Sequence, residues 1–136
     1  MTTTELISAY YASFNAGDMP RFLDLLHDDV VHDINQGERE IGKDAFARFM
    51  DVMDGSYRET IADIVILTTP DGTRAAAEFV VNGEYLVGGE GLPPAHGQTY
   101  TLPAGAFFEV RDGRIARVTN YYNLQDWLRQ VRSATA

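Results

Sequence analysis

The chain has 136 residues, of which 45% are hydrophobic and 23% charged, a globular composition that predicts one domain spanning residues 1–136. Its 20 acidic residues outnumber 11 lysines and arginines, and the net charge of −9 argues against a nucleic-acid partner and an anionic membrane surface. The absence of cysteine excludes disulfides and thiolate sites, and with no visible signal peptide or apolar run of about 18 residues we expect a cytoplasmic protein without membrane contact.

Helical patterns dominate the N-terminal part of the chain. Thr2 and Glu5 form a predicted capping box, and apolar residues then recur at helical spacing. Asp18 is predicted to cap a second, shorter helix, and residues 30–34 are predicted to form a short strand. Gly42 precedes a third predicted helix, whose apolar residues follow the i, i+3, i+4, i+7 pattern: Phe46, Phe49, Met50 and Met53.

Strand patterns follow, rich in β-branched and aromatic residues. Pro70-Asp71-Gly72 and Asp112-Gly113 are turn sequences, so the strands beside them are predicted to form antiparallel hairpins. Residues 88–97 (GGEGLPPAHG) are predicted to form a long loop, and Asn123 to cap a C-terminal helix. The predicted strands are residues 57–69, 73–87, 98–111 and 114–122.

This order of elements predicts the α+β class. We expect a curved, mostly antiparallel sheet wrapped around the N-terminal helices, with a C-terminal helix beside it. Such a cone leaves a cavity at its open end, where a hydrophobic small-molecule ligand would bind.

Several sequence stretches resemble one superfamily. AYYASFNAGD followed by LLHDDVV is similar to the opening of ketosteroid isomerases, and FFEVRDGRIARV is similar to polyketide cyclases and other SnoaL-like proteins. GLPPAHGQTY and YYNLQDWLRQ also resemble segments of that group. The chain is therefore identified as resembling the nuclear transport factor 2 superfamily, which implies the cystatin-like fold. Its members include enzymes, binders and transport factors, so the fold alone does not imply a reaction.

The resemblance to the isomerases implies particular catalytic positions. A tyrosine on their first helix donates to the developing oxyanion, and Tyr10 stands at that place. Their general base is an aspartate on the first strand, which falls on Asp33 or on Ile34, depending on the register. Neighbouring strand residues point to opposite faces, so only one of Asp33 and Ile34, and likewise only one of His32 and Asp33, can face the cavity. Asp33 or His32 is the expected base.

The remaining polar candidates come from strand alternation and from the resemblance. The second aspartate of the isomerases falls on Ala106 or Gly105, and neither side chain can donate a hydrogen bond. Asn120 stands where related cyclases tend to have an aspartate, and an amide can polarise a carbonyl but cannot act as a base. The expected substrate-binding residues are Asn120, Tyr122, Tyr85 and Asn35.

These residues support three hypotheses. The first is a cofactor-free isomerase or cyclase that moves protons on a hydrophobic carbonyl compound. The second is a non-catalytic binder of an apolar metabolite, and the third is a dimerisation or docking module with a plugged cavity. The three histidines show no close ligand spacing, which predicts no metal site. Apolar residues on the outer sheet face, Phe107 and Tyr121, predict a homodimer through that face.

Overall fold

A computed structural model describes residues 1–133 of the chain as an α+β fold. The helices are α1 (Thr3–Ala16), α2 (Met19–Asp24), α3 (Lys43–Ser56) and α4 (Leu124–Ser133). The strands are β1 (Leu26–Asp33), β2 (Arg39–Ile41), β3 (Tyr57–Thr68), β4 (Arg74–Tyr85), β5 (Gln98–Arg111) and β6 (Arg114–Tyr122).

Local caps set the helix ends that the sequence predicts. The Thr2 hydroxyl accepts from the Glu5 amide at 3.1 Å, and the Glu5 carboxylate accepts from the Thr2 amide at 2.9 Å, which completes the capping box of α1. Asp18 accepts from the Arg21 amide at 3.2 Å and caps α2. Asn123 accepts from the Asp126 amide at 3.1 Å and begins α4.

The sheet has the strand order β2-β1-β6-β5-β4-β3. Neighbouring strands are antiparallel except for β1 and β6, which pair in parallel. Asp112 and Gly113 have φ of 55° and 72°, so the β5–β6 hairpin closes through two left-handed residues, as its turn sequence predicts. The long loop between β4 and β5 lies where the glycines and prolines predict it.

The first two strands differ from the prediction. β1 begins at Leu26 rather than at residue 30, and β2 was not predicted at all. β2 consists of three residues at the sheet edge, where it pairs Arg39 with Asp33 and Ile41 with Val31. A strand so short carries no alternation that a sequence pattern can reveal, so only the partner strand defines it.

The helices and the concave face of the sheet enclose an aromatic core. Tyr10 of α1 packs against Phe22 of α2 with ring centroids 4.6 Å apart, and against Phe108 of β5 at 5.6 Å. A second cluster lies near α4, where Trp127 packs edge-on against Tyr85 at 4.9 Å. Within residues 1–133, no helix is long and apolar enough to cross a membrane.

Candidate active site

A cavity of about 320 Å³ lies between the helices and the concave face of the sheet. Its wall is mostly apolar, and α1, α2, α3, α4 and five of the strands contribute to it. The apolar lining residues are Phe14, Phe22, Ile34, Phe46, Phe49, Met50, Met53, Ile61, Phe79, Val81, Leu92, Leu102, Ala104 and Leu124. The lining residues with polar side-chain atoms are Tyr10, Tyr11, His32, Asn35, Tyr57, Glu59, Asn120, Tyr121, Tyr122 and Trp127.

The end of β1 determines which of the adjacent candidates faces the cavity. His32 and Ile34 line the cavity, whereas Asp33 lies between them on the opposite face of the strand. β1 pairs with β6 in the register His32 with Val118 and Asp33 with Thr119. The sequence left open whether Asp33 or Ile34 faces the cavity. In the structure Ile34 faces it and Asp33 faces away.

Asp33 is held outside the cavity by polar partners. Arg39 donates from Nε to its Oδ1 at 2.6 Å and from Nη2 to Oδ2 at 3.0 Å, and the Thr119 hydroxyl donates to Oδ2 at 2.6 Å. These hydrogen bonds, the Arg39 pair foremost, lower the pKa of Asp33 to about 2. The expectation that Asp33 faces the cavity as a base is thus corrected: the carboxylate points away and its lone pairs are engaged.

His32 is almost fully buried in the cavity wall, with 2% of its surface exposed. Its ring stacks on Phe46 with centroids 4.1 Å apart and meets Phe49 edge-on at 4.7 Å. Burial among these rings lowers the pKa of His32 to about 4, although the charge of Asp33 acts in the other direction. His32 is therefore neutral at pH 7, and its Nδ1 has no hydrogen-bond partner among the described residues.

Two adjacent tyrosines of α1 also line the cavity. Tyr10, the residue that the resemblance marks as an oxyanion donor, is 6% exposed. Tyr11 packs edge-on against Tyr10, and its hydroxyl is buried without a hydrogen-bond partner in the described part of the chain. Burial raises the pKa of both hydroxyls, so both are neutral donors at pH 7.

The other predicted binding residues divide into two groups. Asn120, Tyr122 and Asn35 line the cavity, and the Asn35 side-chain amide donates to the Tyr122 carbonyl at 2.9 Å. Tyr85 is corrected: it is fully buried behind the wall, outside the lining, and its hydroxyl donates to the Pro93 carbonyl at 2.7 Å. Its ring supports the loop between β4 and β5.

Glu59 of β3 is a cavity residue that the sequence reasoning missed. It lies between Tyr57 and Ile61 in the inward phase of the strand, and burial raises its pKa above the usual value of 4.5. The Tyr100 hydroxyl donates to its Oε2 at 2.5 Å and opposes that rise. The available signal was strand alternation, since an acid flanked by inward-facing residues at i−2 and i+2 points inward.

The lining thus combines a weakly polar pocket with a few groups suited to carbonyl chemistry. Tyrosine hydroxyls and an amide can donate to a carbonyl oxygen, and His32 and Glu59 are the lining residues whose side chains can act as a base. The open cavity counts against the hypothesis of a plugged docking module.

Comparison with known proteins identifies a matching family and several similar structures. The SnoaL-like domain family matches residues 7–118. A crystal structure of a candidate polyketide cyclase from Pseudomonas putida KT2440 is 66% identical and superposes with a TM-score of 0.95, covering 96% of this chain and 98% of that one. One from Xanthomonas campestris pv. campestris is 58% identical, with a TM-score of 0.92 and coverage of 95% and 96%.

A third structure, of a candidate polyketide cyclase from Silicibacter sp. TM1040, is 50% identical, with a TM-score of 0.93 and coverage of 99% and 96%. Among curated proteins none matches the chain. The family match spans most of the sequence, and the similar structures share the whole fold. The chain belongs to the SnoaL-like domain family.

Proposed function

We propose that this protein binds a hydrophobic carbonyl compound in the cavity and rearranges it by proton transfer, as an isomerase or cyclase. The single observation that carries the proposal is an apolar cavity into which a carboxylic acid, an imidazole and tyrosines project. A purely structural core would exclude the acid, since burying a carboxylate costs free energy, and the hydrogen bond from Tyr100 to Glu59 offsets only part of that cost. The names of its close structural relatives support a reaction of this kind.

The oxygen of the carbonyl group would be polarised by neutral donors. Tyr10 on α1 and Asn120 on β6 present a hydroxyl and an amide from different walls of the cavity. Donors aimed at the oxygen stabilise the negative charge that develops when a neighbouring C–H bond is broken. The proton acceptor is one of the two titrating groups of the cavity, His32 or Glu59. This chemistry requires a base and a donor and no cofactor.

The experiment uses the single tryptophan of the chain, Trp127, which lines the cavity. Titration with 2-tetralone, a bicyclic ketone, is expected to change its fluorescence saturably. A variant with a filled cavity, Ala104→Leu, should weaken that binding, because Ala104 lines the same space. Binding without any proton transfer to or from the ketone would favour the non-catalytic binder, and no binding of 2-tetralone would contradict the ligand class.

The outer face of the sheet is proposed to bind a second copy of the chain. Phe107 lies there with 50% of its surface exposed, and Tyr121, which also borders the cavity at the end of β6, is 57% exposed. Their rings meet edge-on at 5.8 Å. Exposed aromatic pairs on a sheet face are typical of an interface between subunits. Light scattering should give the mass of a dimer at micromolar concentration, and a monomeric mass would reject the proposal.

A further inference from the structure

Three residues lie in one row across three neighbouring strands. Glu59 of β3 pairs with Gly83 of β4, and Gly83 pairs with Tyr100 of β5. Tyr100 and Glu59 are therefore separated by a whole strand, yet the Tyr100 hydroxyl reaches Glu59 Oε2 at 2.5 Å. The tyrosine side chain crosses β4 at the position of the glycine.

Gly83 leaves the space through which this contact passes. A Cβ at Gly83 would lie 2.3 Å from the Tyr100 ring carbon Cζ and 2.5 Å from its hydroxyl oxygen, distances that no pair of non-bonded atoms tolerates. The backbone of Gly83 has no left-handed conformation that would call for glycine. The tyrosine ring is thus the reason that the residue opposite Glu59 lacks a side chain.

The far side of the ring is equally constrained. Tyr100 is 3% exposed and meets Trp127 of α4 edge-on at 6.1 Å. The ring is therefore enclosed by the Gly83 backbone and by α4, and its hydroxyl is directed at one carboxylate oxygen. An immobilised donor of this kind restricts the orientation of the Glu59 carboxylate.

We propose that Glu59 is the catalytic residue that carries the proton in this cavity, and that Tyr100, passing over Gly83, is the residue that positions it. The inference rests on the proposed function and names the proton acceptor that the proposed function left open between two residues. Glu59 lines the cavity and has one carboxylate oxygen bound by Tyr100, so the second oxygen is available to a ligand.

Comparison with His32 favours Glu59. Aromatic burial stabilises the neutral form of both residues, which lowers the pKa of the imidazole and raises that of the carboxyl. The carboxylate is therefore made a stronger base, whereas the imidazole is made a weaker one. Burial, and to a lesser extent the charge of Glu59, raises the pKa of three tyrosines, Tyr57 on β3, Tyr100 on β5 and Tyr122 on β6, so these neighbours remain neutral beside it.

The proposed step balances without any further reactant. Glu59 removes a proton from the carbon next to the carbonyl, and the electron pair of that C–H bond forms the C=C bond of an enolate while the carbonyl oxygen takes the charge. Glu59 is then a carboxylic acid. It returns the proton to another carbon of the enolate in an isomerisation, or to the alkoxide formed when the enolate carbon attacks a second carbonyl in a cyclisation.

The test measures proton abstraction directly. Wild-type protein is incubated with 2-tetralone in D₂O, and the exchange of the protons beside the carbonyl is followed by NMR against a protein-free control. Glu59→Gln should lose about 100-fold or more of the catalysed rate, the range of a removed general base. Glu78→Gln, the same change on an exposed residue of β4 outside the cavity, should keep it.

The positioning role of Tyr100 has its own readout. Tyr100→Phe removes a hydrogen bond to the charged form of Glu59, so the midpoint of the pH–rate profile should move to higher pH. A lower rate with an unmoved midpoint would reduce Tyr100 to a packing residue and overturn that part of the inference. Thermal unfolding of each variant establishes that it is folded.

The remaining outcomes separate the two proposals. If wild-type protein catalyses exchange and Glu59→Gln retains the rate, the inference fails and the proposed function stands. If wild-type protein does not catalyse exchange, whether or not 2-tetralone changes the Trp127 fluorescence, the proposed function fails and the inference with it.

Discussion

Two strand carboxylates of this molecule lie in opposite environments. Asp33, at the end of β1, lies on the outer side of the sheet, where Arg39 and Thr119 bind both of its oxygens. Glu59, on β3, lies in the cavity wall, where one tyrosine binds one of its oxygens and no cation within residues 1–133 lowers its pKa. The anion of Asp33 is stabilised, and hydrogen bonds occupy both of its oxygens. The anion of Glu59 is destabilised by burial, and one of its oxygens is available to a ligand. Partner residues, rather than the acid itself, determine whether a strand carboxylate is held as an anion or is left as a candidate base.

The largest expected effect is on the catalysed exchange of 2-tetralone protons. Asp33→Asn should leave the rate within about twofold of wild type, while Glu59→Gln lowers it about 100-fold. The NMR exchange assay measures both. A large loss in Asp33→Asn in a folded protein would reverse the comparison and restore the outward acid to the mechanism.

Substitution at Gly83 tests whether the Tyr100 ring passes over this residue to reach Glu59. Gly83→Ala should lower the free energy of unfolding by about 1–3 kcal/mol, because the new Cβ overlaps the Tyr100 ring. Chemical denaturation measures this free energy, and Gly83→Ala should destabilise the protein less when Tyr100 is also replaced by alanine. The matched control is Gly55→Ala near the end of α3, where the new Cβ would meet no atom of another part of the described chain within 4 Å, and it should stabilise the protein by at most about 0.5–1 kcal/mol. Equal effects at the two glycines would contradict the overlap.

The two carboxylates should also give stability opposite dependences on pH. The folded pKa of Asp33 is lowered from 3.8 to about 2, so its contribution is present above pH 4 and is lost as the pH falls toward 2. Because its partner Arg39 is exposed to solvent, we expect Asp33 to contribute about 1 kcal/mol to the free energy of unfolding. The folded pKa of Glu59 is raised above 4.5, so its contribution is present below that pH and is lost as the pH rises.

Denaturation of Asp33→Asn and Glu59→Gln beside wild type, at several pH values, measures these contributions. Asp33→Asn should approach the stability of wild type as the pH falls toward 2, and Glu59→Gln should gain on wild type as the pH rises above 4.5. Parallel curves for the two variants would show that their environments do not differ as described.

The smallest expected effect concerns the outer ion pair alone. Arg39→Gln removes the main cause of the low pKa of Asp33, so NMR titration of that carboxyl should show its pKa rising toward 3.8. The free energy of unfolding should change by less than about 1 kcal/mol, as for other exposed pairs. The exchange rate should not change, and a changed rate would link the outer face to the cavity.

Some features of the fold follow from local signals. The capping residues Thr2, Asp18 and Asn123 begin the helices as predicted, and Asp112-Gly113 closes its hairpin as predicted. Such signals work because a cap or a turn depends on a few consecutive residues. β2 escaped prediction because three residues at a sheet edge are too short for an alternation pattern and become a strand only through the partner that they bind.

The candidate site was partly predictable. Tyr10, His32 and Asn120 line the cavity at positions that the family resemblance or strand alternation indicates. The orientation of Asp33 was left open, because a one-residue change of register reverses the face of every side chain and only the pairing with β6 sets it. Whether these residues act in catalysis remains a prediction.

The sequence by itself determined the order of helices and hairpins and the class of cavity that they enclose, since periodicity, caps and turns are local properties. Only the tertiary structure decided which acid faces the cavity and what holds it. The Tyr100–Glu59 contact joins residues 41 positions apart across a third strand. Such a contact depends on the register of two hairpins and on the space above Gly83, neither of which is encoded in any short stretch of residues.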